Sequence, residues 1–214
     1  MPAPRKLHDK FFKQAKAEGY LARSAYKLKE INDRIKLLHS GDAVLDLGCA
    51  PGSWMQVASE ITGSRGVVVG IDLLDTDERA LEWGPARKIA EKGDAFNAGN
   101  AARWLFHIRT PQQPHRMFDV VMSDMAPNIS GIAIADQARS MHLAELALDF
   151  AVRFLEKDGA MVVKTFQGVG FTEFLAAVKK AFRDVKSVKP KSSRDRSSEL
   201  YLVARGLNPS AVPS

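Results

Sequence analysis

Hydrophobic residues follow two different patterns along this chain of 214 residues. In the first part, over 7–18 and 22–37, apolar side chains are spaced as they are in amphipathic helices. After residue 42, short apolar runs bounded by turn residues alternate with longer amphipathic stretches. That alternation is typical of strands joined by helices. The sequence therefore predicts two helices followed by an alternating strand and helix unit.

Seven short segments have the composition of strands. Strands that alternate with helices favour an open, mostly parallel sheet with helices on both faces. The last two strands have no predicted helix between them, which indicates antiparallel pairing at one edge. We therefore expect a Rossmann-like α/β fold with a mostly parallel seven-stranded sheet and an antiparallel edge strand. The predicted strands are Ala43–Leu47, Gly66–Asp72, 88–93, Phe118–Ser123, Gly159–Thr165, Val185–Val188 and Glu199–Ala204, and the helices between them are 53–62, 135–156 and 171–182, with a turn at 157–159.

Length and composition fit one globular domain. Hydrophobic residues make up 45% of the chain and charged residues 26%. No apolar run is long enough to span a bilayer, and the basic start of the chain lacks the apolar stretch of a secretory signal. The single cysteine, Cys49, excludes an internal disulfide and suits the reducing cytoplasm. We expect a cytoplasmic monomer with one domain over 1–207, basic helices in 1–40 and a disordered tail over 208–214.

Positive charge is concentrated in two segments. Residues 1–40 contain ten lysines or arginines against four acids, and 179–196 contain eight against two. The whole chain has a net charge of +6, so the remainder is acidic. Two basic segments brought onto one surface would attract a polyanion such as RNA. Charge alone leaves solvated helix and loop surfaces as an equal alternative.

A glycine-bearing turn follows the first predicted strand, in the run Asp46-Leu-Gly-Cys-Ala-Pro-Gly-Ser-Trp54. A sharp turn between strand and helix brings backbone N–H groups close to a ligand at the carboxyl edge of a sheet. The run differs from the dinucleotide fingerprint G-x-G-x-x-G, because Ala50 and Ser53 replace its second and third glycines. The missing second glycine argues against a bound pyrophosphate, so S-adenosylmethionine is the expected ligand. The alternative is a turn that only closes the strand–helix unit.

Acidic residues follow four consecutive predicted strands: Asp46, Asp72, Asp94 and Asp124. The carboxyl ends of parallel strands share one edge of the sheet, where ligands bind. Asp72 could accept the hydroxyl groups of a ribose, Asp94 the amino group of adenine, and Asp46 could order the turn or meet a cationic amine. One such acid is as often a helix N-cap, but four in succession favour a site. Trp54 could wall the same pocket or pack in the core.

Lys164 ends an apolar strand that should continue into the sheet. A lysine there is costly unless it is paired or its amine reaches solvent at the strand end. The functional interpretation places the amine at the carboxyl edge beside Asp124. Taken alone, Lys27 and Glu199 cannot be distinguished from surface charges. The five histidines show no metal-ligand spacing, so no metal is expected.

Besides the glycine turn, three segments have a recognisable pattern: Ser123-Asp-Met-Ala-Pro-Asn-Ile-Ser-Gly131, Val163-Lys-Thr-Phe-Gln-Gly168 and Lys189-Pro-Lys-Ser-Ser-Arg-Asp-Arg-Ser-Ser-Glu-Leu-Tyr201. With the turn, they resemble the FtsJ/RrmJ family of S-adenosylmethionine-dependent ribose 2′-O-methyltransferases over residues 8–205. Cys49 departs from the family, which has a small Ala or Gly there. The resemblance implies that methyltransferase fold and a catalytic tetrad of Lys27, Asp124, Lys164 and Glu199. It assigns the cofactor to Gly52, Trp54, Asp72, Asp94 and Asp124, to which the turn adds Asp46 and Gly48.

The block after Asp124 resembles the branch of the family that methylates a uridine of large-subunit ribosomal RNA. The resemblance therefore implies a uridine of 23S-type RNA, methylated within the assembled large ribosomal subunit. The tRNA anticodon-loop branch usually has a different sequence there. RNA phosphates are expected to contact Lys189, Lys191, Arg194 and Arg196 together with the N-terminal basic helix.

Several alternatives remain open from the sequence. Lys164 could accept the 2′-hydroxyl proton as a neutral amine, or orient the hydroxyl as an ammonium while the proton leaves late. The chain could methylate tRNA instead, or bind RNA as a scaffold without catalysis. Against a scaffold, all four tetrad positions and the cofactor acids are present. Against a small-molecule methyltransferase stand the two basic segments.

Overall fold

The computed structural model describes residues 10–94, 101–128, 130–193 and 197–211. In this part of the chain, helices and strands alternate after two initial helices. The helices are α1 (Lys10–Glu18), α2 (Ala25–Ile35), α3 (Ser53–Thr62), α4 (Glu78–Glu82), α5 (Ala101–Ile108), α6 (Ala133–Phe154) and α7 (Phe171–Ala181). The strands are β1 (Ala43–Leu47), β2 (Val67–Asp72), β3 (Arg87–Lys92), β4 (Phe118–Ser123), β5 (Leu155–Phe166), β6 (Phe182–Val188) and β7 (Glu199–Leu207).

The seven strands form one sheet in the order β3-β2-β1-β4-β5-β7-β6. The first five strands are parallel, whereas β7 runs antiparallel to both of its neighbours, β5 and β6. This arrangement confirms the predicted Rossmann-like sheet with antiparallel pairing at one edge. The antiparallel strand itself, β7, lies one place inside that edge.

The sheet is buried on both faces because its strands alternate between two hydrophobic clusters. In β1, Leu45 and Leu47 belong to one cluster with Trp104 and Phe118, while Val44 faces the other. Successive side chains of a strand point to opposite faces, so a strand covered by helices on both sides is apolar throughout. Helices α2 and α3 cover the second face.

The strand order reverses at β1, which pairs with β2 on one side and β4 on the other. In open parallel sheets, such a reversal leaves a crevice at the carboxyl ends of the strands, where ligands bind. The register of β7 on β5 brings further polar residues to the same edge, since Lys164 pairs with Tyr201 and Phe166 with Glu199. The topology therefore brings the predicted site residues to one edge of the sheet.

Three local predictions differ from the structure. Helices α4 and α5 are additional to those predicted: α4 has only five residues, capped by Asp77, whose carboxylate accepts the N–H of Arg79. The predicted turn at 157–159 lies inside β5, because β5 begins at Leu155, opposite Phe118 of β4. A 3-10 turn, Pro209–Ala211, occupies part of the segment for which the sequence predicts disorder. There, Asn208 donates to the backbone oxygens of Ala181 and Lys180.

None of the helices within the described residues has both the length and the apolar character needed to cross a membrane.

The predicted first helix, 7–18, has its first three residues outside the described part.

The segment that joins α1 to α2 is held by the first turns of α3. Fully buried Gln56 accepts the N–H of Leu21 at 2.9 Å and donates to the oxygen of Gly19 at 3.2 Å. Trp54 Nε1 donates to the oxygen of Ser24 at 2.9 Å. These bonds fix the start of α2, the helix that carries Lys27, relative to the sheet.

Replacing Gln56 with Leu should lower the free energy of unfolding by about 1–3 kcal/mol, because two backbone groups lose their partner. The exposed Gln112 provides a matched control, and Gln112→Leu should change the free energy by less than about 0.5 kcal/mol. Urea unfolding of both variants measures the difference. Equal effects of the two substitutions would contradict the role of Gln56.

Candidate active site

Two buried ion pairs lie at the carboxyl edge of the sheet. Lys164 Nζ is 3.0 Å from Asp124 Oδ1 and donates to the Asp124 backbone oxygen at 2.5 Å. Lys27 Nζ is 2.8 Å from Glu199 Oε1 and 2.9 Å from Oε2. Both lysines and Glu199 are buried, and buried charges are tolerated when they are paired. The structure thus brings together all four residues of the predicted tetrad, which come from α2, β5, β7 and the loop after β4.

Tyr201 lies between the two ion pairs. Its hydroxyl donates to Asp124 Oδ1 at 2.7 Å, and its ring centroid is 5.7 Å from Lys27 Nζ. Burial raises the pKa of Tyr201 well above its usual value, and the carboxylates of Asp124 and Glu199 raise it further. The phenol therefore keeps its proton and serves as a hydrogen-bond donor to the site.

Sequence reasoning did not assign a role to Tyr201. Its signal was the period of the strand: Tyr201 and Glu199 are two residues apart in β7 and so face the same side of the sheet. With Glu199 among the candidate residues, that spacing points to Tyr201 as well.

A cavity of about 500 Å³ opens beside Asp124 at the crevice. Four of the predicted cofactor residues line it: Gly48, Asp72, Asp94 and Asp124. The Asp72 carboxylate accepts the N–H groups of Ala50 and Leu74, at 2.9 and 2.8 Å, and so ties the glycine turn to the end of β2. This acid orders the wall of the cavity as well as lining it.

Position 48 requires a glycine because of its backbone conformation and its neighbouring side chain. Its φ of 75° is in the left-handed region, and a Cβ there would overlap the side chain of Met125. The backbone of the glycine turn can therefore lie directly against the cavity.

Gly52 and Trp54 are not among the residues that line this cavity. Gly52, with φ 113°, lies against α4, where a Cβ would overlap Ala80. Trp54 is buried, and its ring centroid is 5.8 Å from that of Tyr201. The structure therefore places Trp54 behind the cluster of ion pairs, so the core-packing alternative describes it better than a cavity wall.

Asp46 is buried below the turn and is not among the lining residues. Its Oδ2 has no hydrogen-bond partner among the described residues. Burial raises the pKa of Asp46 well above its usual value, and the charges of Asp124 and Asp72 add to the effect. Asp46 is therefore buried beside the crevice rather than exposed to a ligand in it.

A second cavity, of about 280 Å³, lies on the other side of the cluster. It is lined by Ala22, Arg23, Ser24, Lys27, Ser197 and Glu199. The predicted RNA-binding residues Lys189 and Lys191 are exposed on the neighbouring loop between β6 and β7, whereas Arg194 and Arg196 lie outside the described residues. The tetrad therefore separates an acidic cavity from a basic surface.

Comparison with known families shows to which of them this chain belongs. A family model for FtsJ-like methyltransferases matches residues 20–207, most of the chain. The chain belongs to the FtsJ-like methyltransferase family. The predicted resemblance and its methyltransferase fold are thereby confirmed.

Curated relatives of this FtsJ-like chain share much of its sequence. Ribosomal RNA large subunit methyltransferase E of Thiobacillus denitrificans is 47% identical over 197 residues, which cover 92% of this chain and 84% of the relative. The protein of the same name from Syntrophobacter fumaroxidans is 46% identical over 204 residues, covering 95% and 98%.

Solved structures agree with the FtsJ-like fold. A crystal structure of a chain described as a ribosomal RNA methyltransferase from Plasmodium falciparum has a TM-score of 0.69 and 26% identity. It covers 88% of this chain and 98% of its own length. A chain described as an rRNA methylase from Clostridium thermocellum, with a TM-score of 0.56 and 20% identity, supports the fold alone.

Across the described residues, no group of three or more His, Cys, Asp or Glu is arranged to hold a metal ion.

Asp46→Asn should stabilise the ligand-free FtsJ-like protein relative to wild type as the pH rises above the ordinary pKa of an aspartate, because burial raises the pKa of Asp46. Above that pKa, the unfolded chain releases the Asp46 proton more readily than the folded protein does. Wild-type stability therefore falls as pH rises through this window, and the Asn variant escapes that loss. Urea unfolding at mildly acidic and at neutral pH measures the difference.

Asp136 provides a control, because its substitution should change the stability in the opposite direction. N–H groups of Ser130 and Gly131 bond its carboxylate, and the Ser130 bond contributes most to lowering its pKa to about 2. Its stabilisation is present above the ordinary pKa and lost as pH falls toward 2. Asp136→Asn should therefore destabilise the protein at neutral pH; a destabilised Asp46→Asn would contradict the account of Asp46.

Proposed function

We propose that this FtsJ-like chain transfers a methyl group from S-adenosylmethionine to the ribose 2′-hydroxyl of a uridine in large-subunit ribosomal RNA. The observation that carries the proposal is the buried cluster in which Lys164–Asp124 and Lys27–Glu199 lie on either side of Tyr201. Such a cluster can align a hydroxyl group and handle its proton, which is what methylation of a ribose requires of the protein.

The large cavity fits S-adenosylmethionine by its chemistry. Asp72 and Asp94 line this cavity and supply acceptors for hydroxyl and amino groups, whereas Asp46 is buried outside its lining. Within the described residues, no lysine or arginine lines the cavity, although a bound pyrophosphate would favour such a residue. S-adenosylmethionine supplies an electrophilic methyl group that already carries a good leaving group.

Lys164 is the proposed contact to the acceptor hydroxyl. Its amine is held by two oxygens of Asp124, so its direction is fixed before the substrate arrives. Tyr201 donates to the same carboxylate and limits its rotation. If neutral Lys164 accepts the proton, the transfer rate rises with pH and then levels off. A pH-independent rate assigns it the orienting role instead.

Lys27 and Glu199 face the smaller cavity, on the side of the basic loop. We assign this side to the RNA because it joins the catalytic cluster to Arg23 and to exposed Lys189 and Lys191. Phosphate contacts of this kind position RNA without reading its sequence. The relatives named ribosomal RNA large subunit methyltransferase E support ribosomal RNA as the acceptor.

The proposal is tested by methyl transfer from radiolabelled S-adenosylmethionine to three acceptors: unmethylated large ribosomal subunits, free ribosomal RNA and tRNA. We expect label on the large subunits that disappears with Lys164→Ala. Label on tRNA alone would move the activity to the tRNA branch. Cofactor binding without transfer to any of the three would favour a non-catalytic scaffold.

Lys164→Ala and Asp72→Ala should separate chemistry from cofactor binding. Lys164→Ala should lower kcat by at least about a hundredfold and should change cofactor affinity much less than Asp72→Ala does. Asp72→Ala should weaken cofactor binding by about tenfold or more, because a charged acceptor is lost. Asp75→Ala is the matched control, since Asp75 is an exposed acid on the same segment. Calorimetric titration with the cofactor and turnover kinetics measure both effects; the reverse assignment would contradict the site.

Lys191→Ala should weaken RNA binding and reduce its dependence on salt, since each lost phosphate contact lowers the slope of log K against log salt by about 0.7–0.9. Lys157→Ala is the control, because Lys157 is exposed at the start of β5, on the opposite edge of the sheet. Filter binding at several salt concentrations measures the slopes. A slope that is the same for both variants would remove Lys191 from the interface.

A further inference from the structure

Glu30 on α2 holds the loop between β6 and β7 by two backbone hydrogen bonds. Its Oε2 accepts the N–H of Lys191 at 2.6 Å, and its Oε1 accepts the N–H of Ser192 at 2.9 Å. A carboxylate that uses both oxygens on two consecutive N–H groups fixes the local backbone, and such charge-assisted bonds are stronger than neutral ones. The contact links positions 161 and 162 residues apart in the chain.

Two further residues of the same region bond to this loop. Arg34 Nη1 donates to the oxygen of Lys189 at 3.4 Å, and Arg23 donates to the oxygen of Ser192. The backbone of Ser192 is therefore held at both its N–H and its carbonyl group. Together these contacts attach the start of the basic loop to α2 and to the segment before it.

The held loop in turn touches the catalytic cluster. Ser193 is buried, and its Oγ donates to Glu199 Oε1 at 2.9 Å. The same carboxylate oxygen is 2.8 Å from Lys27 Nζ. Because Ser193 follows Ser192 directly, the position of its hydroxyl depends on the backbone that Glu30 holds.

We propose that Glu30 is a positioning residue for methyl transfer: it fixes the β6–β7 loop so that Ser193 orients the Glu199 carboxylate toward Lys27. The proposal rests on the function proposed above and adds a residue outside the tetrad. Helix α2 then has two roles: it carries Lys27, and through the loop it aligns Glu199, the partner of Lys27.

Glu30→Gln is the sharpest substitution. The amide keeps one oxygen acceptor but presents an N–H₂ group to the second backbone N–H, so one of the two bonds is lost and the charge is removed. Asp33→Asn is the matched control, because Asp33 is an exposed acid on the same helix and the change in charge is identical.

The experiment measures methyl transfer at saturating RNA and cofactor for wild type, Glu30→Gln, Ser193→Ala, the double variant and Asp33→Asn. We expect Glu30→Gln to lower kcat by about tenfold with unchanged cofactor affinity. The double variant should be no slower than the slower single variant, because both changes act on Glu199 through one route. Asp33→Asn should behave as wild type.

Three kinetic results would overturn the proposal. The first is a kcat for Glu30→Gln equal to that of Asp33→Asn. The second is a rise in KM for RNA with kcat unchanged, which would mean that the loop only binds RNA. The third is full additivity with Ser193→Ala.

Hydrogen exchange supplies a readout that does not depend on activity. The amides of Lys191 and Ser192 should exchange faster in Glu30→Gln than in Asp33→Asn, while the amides of β7 remain protected. If wild type transfers no methyl group, the proposed function fails even though faster exchange still shows that Glu30 holds the loop. Unchanged exchange in Glu30→Gln would overturn the inference itself.

Discussion

The pairing of β7 with β5 is the constraint on which the candidate site depends. Because β7 is antiparallel to β5, Tyr201 lies opposite Lys164, and Glu199 reaches the ligand-binding edge at the point where β5 ends. This register buries two opposite-charge pairs next to one phenol. Removing one partner of a buried pair leaves an uncompensated charge that costs several kcal/mol. Each pair is therefore tolerated at this buried edge only while both of its partners are present.

The four residues of the predicted tetrad also separate two kinds of surface. The cavity beside Asp124 is bounded by acids and by the glycine turn, and suits a ligand that offers hydroxyl, amino and cationic groups. The smaller cavity, beside Lys27 and Glu199, continues onto exposed lysines. Helix α2 belongs both to the ion-pair cluster and to the basic surface, since it carries Lys27 and contacts the basic loop through Glu30. The proposed RNA-binding surface and the proposed catalytic cluster thus share one structural element.

Much of this could be predicted from the sequence, for reasons of pattern. Alternating apolar runs determined the sheet, and an acid at each strand end indicated the edge where ligands bind. Two kinds of feature could not be predicted this way. Trp54 is next to the turn in sequence, yet its indole packs on Tyr201, because side-chain direction depends on how α3 meets the sheet. The period of β7 places Tyr201 on the same side as Glu199, but its hydrogen bond to Asp124 joins positions distant in sequence, which local periodicity does not encode. The same holds for the bonds of Glu30 to the loop.

The cluster around Lys164 is proposed to direct a methyl group to a ribose oxygen. The most direct test locates that group: large subunits labelled by the wild-type protein are digested with alkali, and the label is traced. Our account predicts label in an alkali-resistant dinucleotide, because a methylated 2′-oxygen cannot attack the neighbouring phosphate. Label released in mononucleotides would place the methyl group on a base and contradict it.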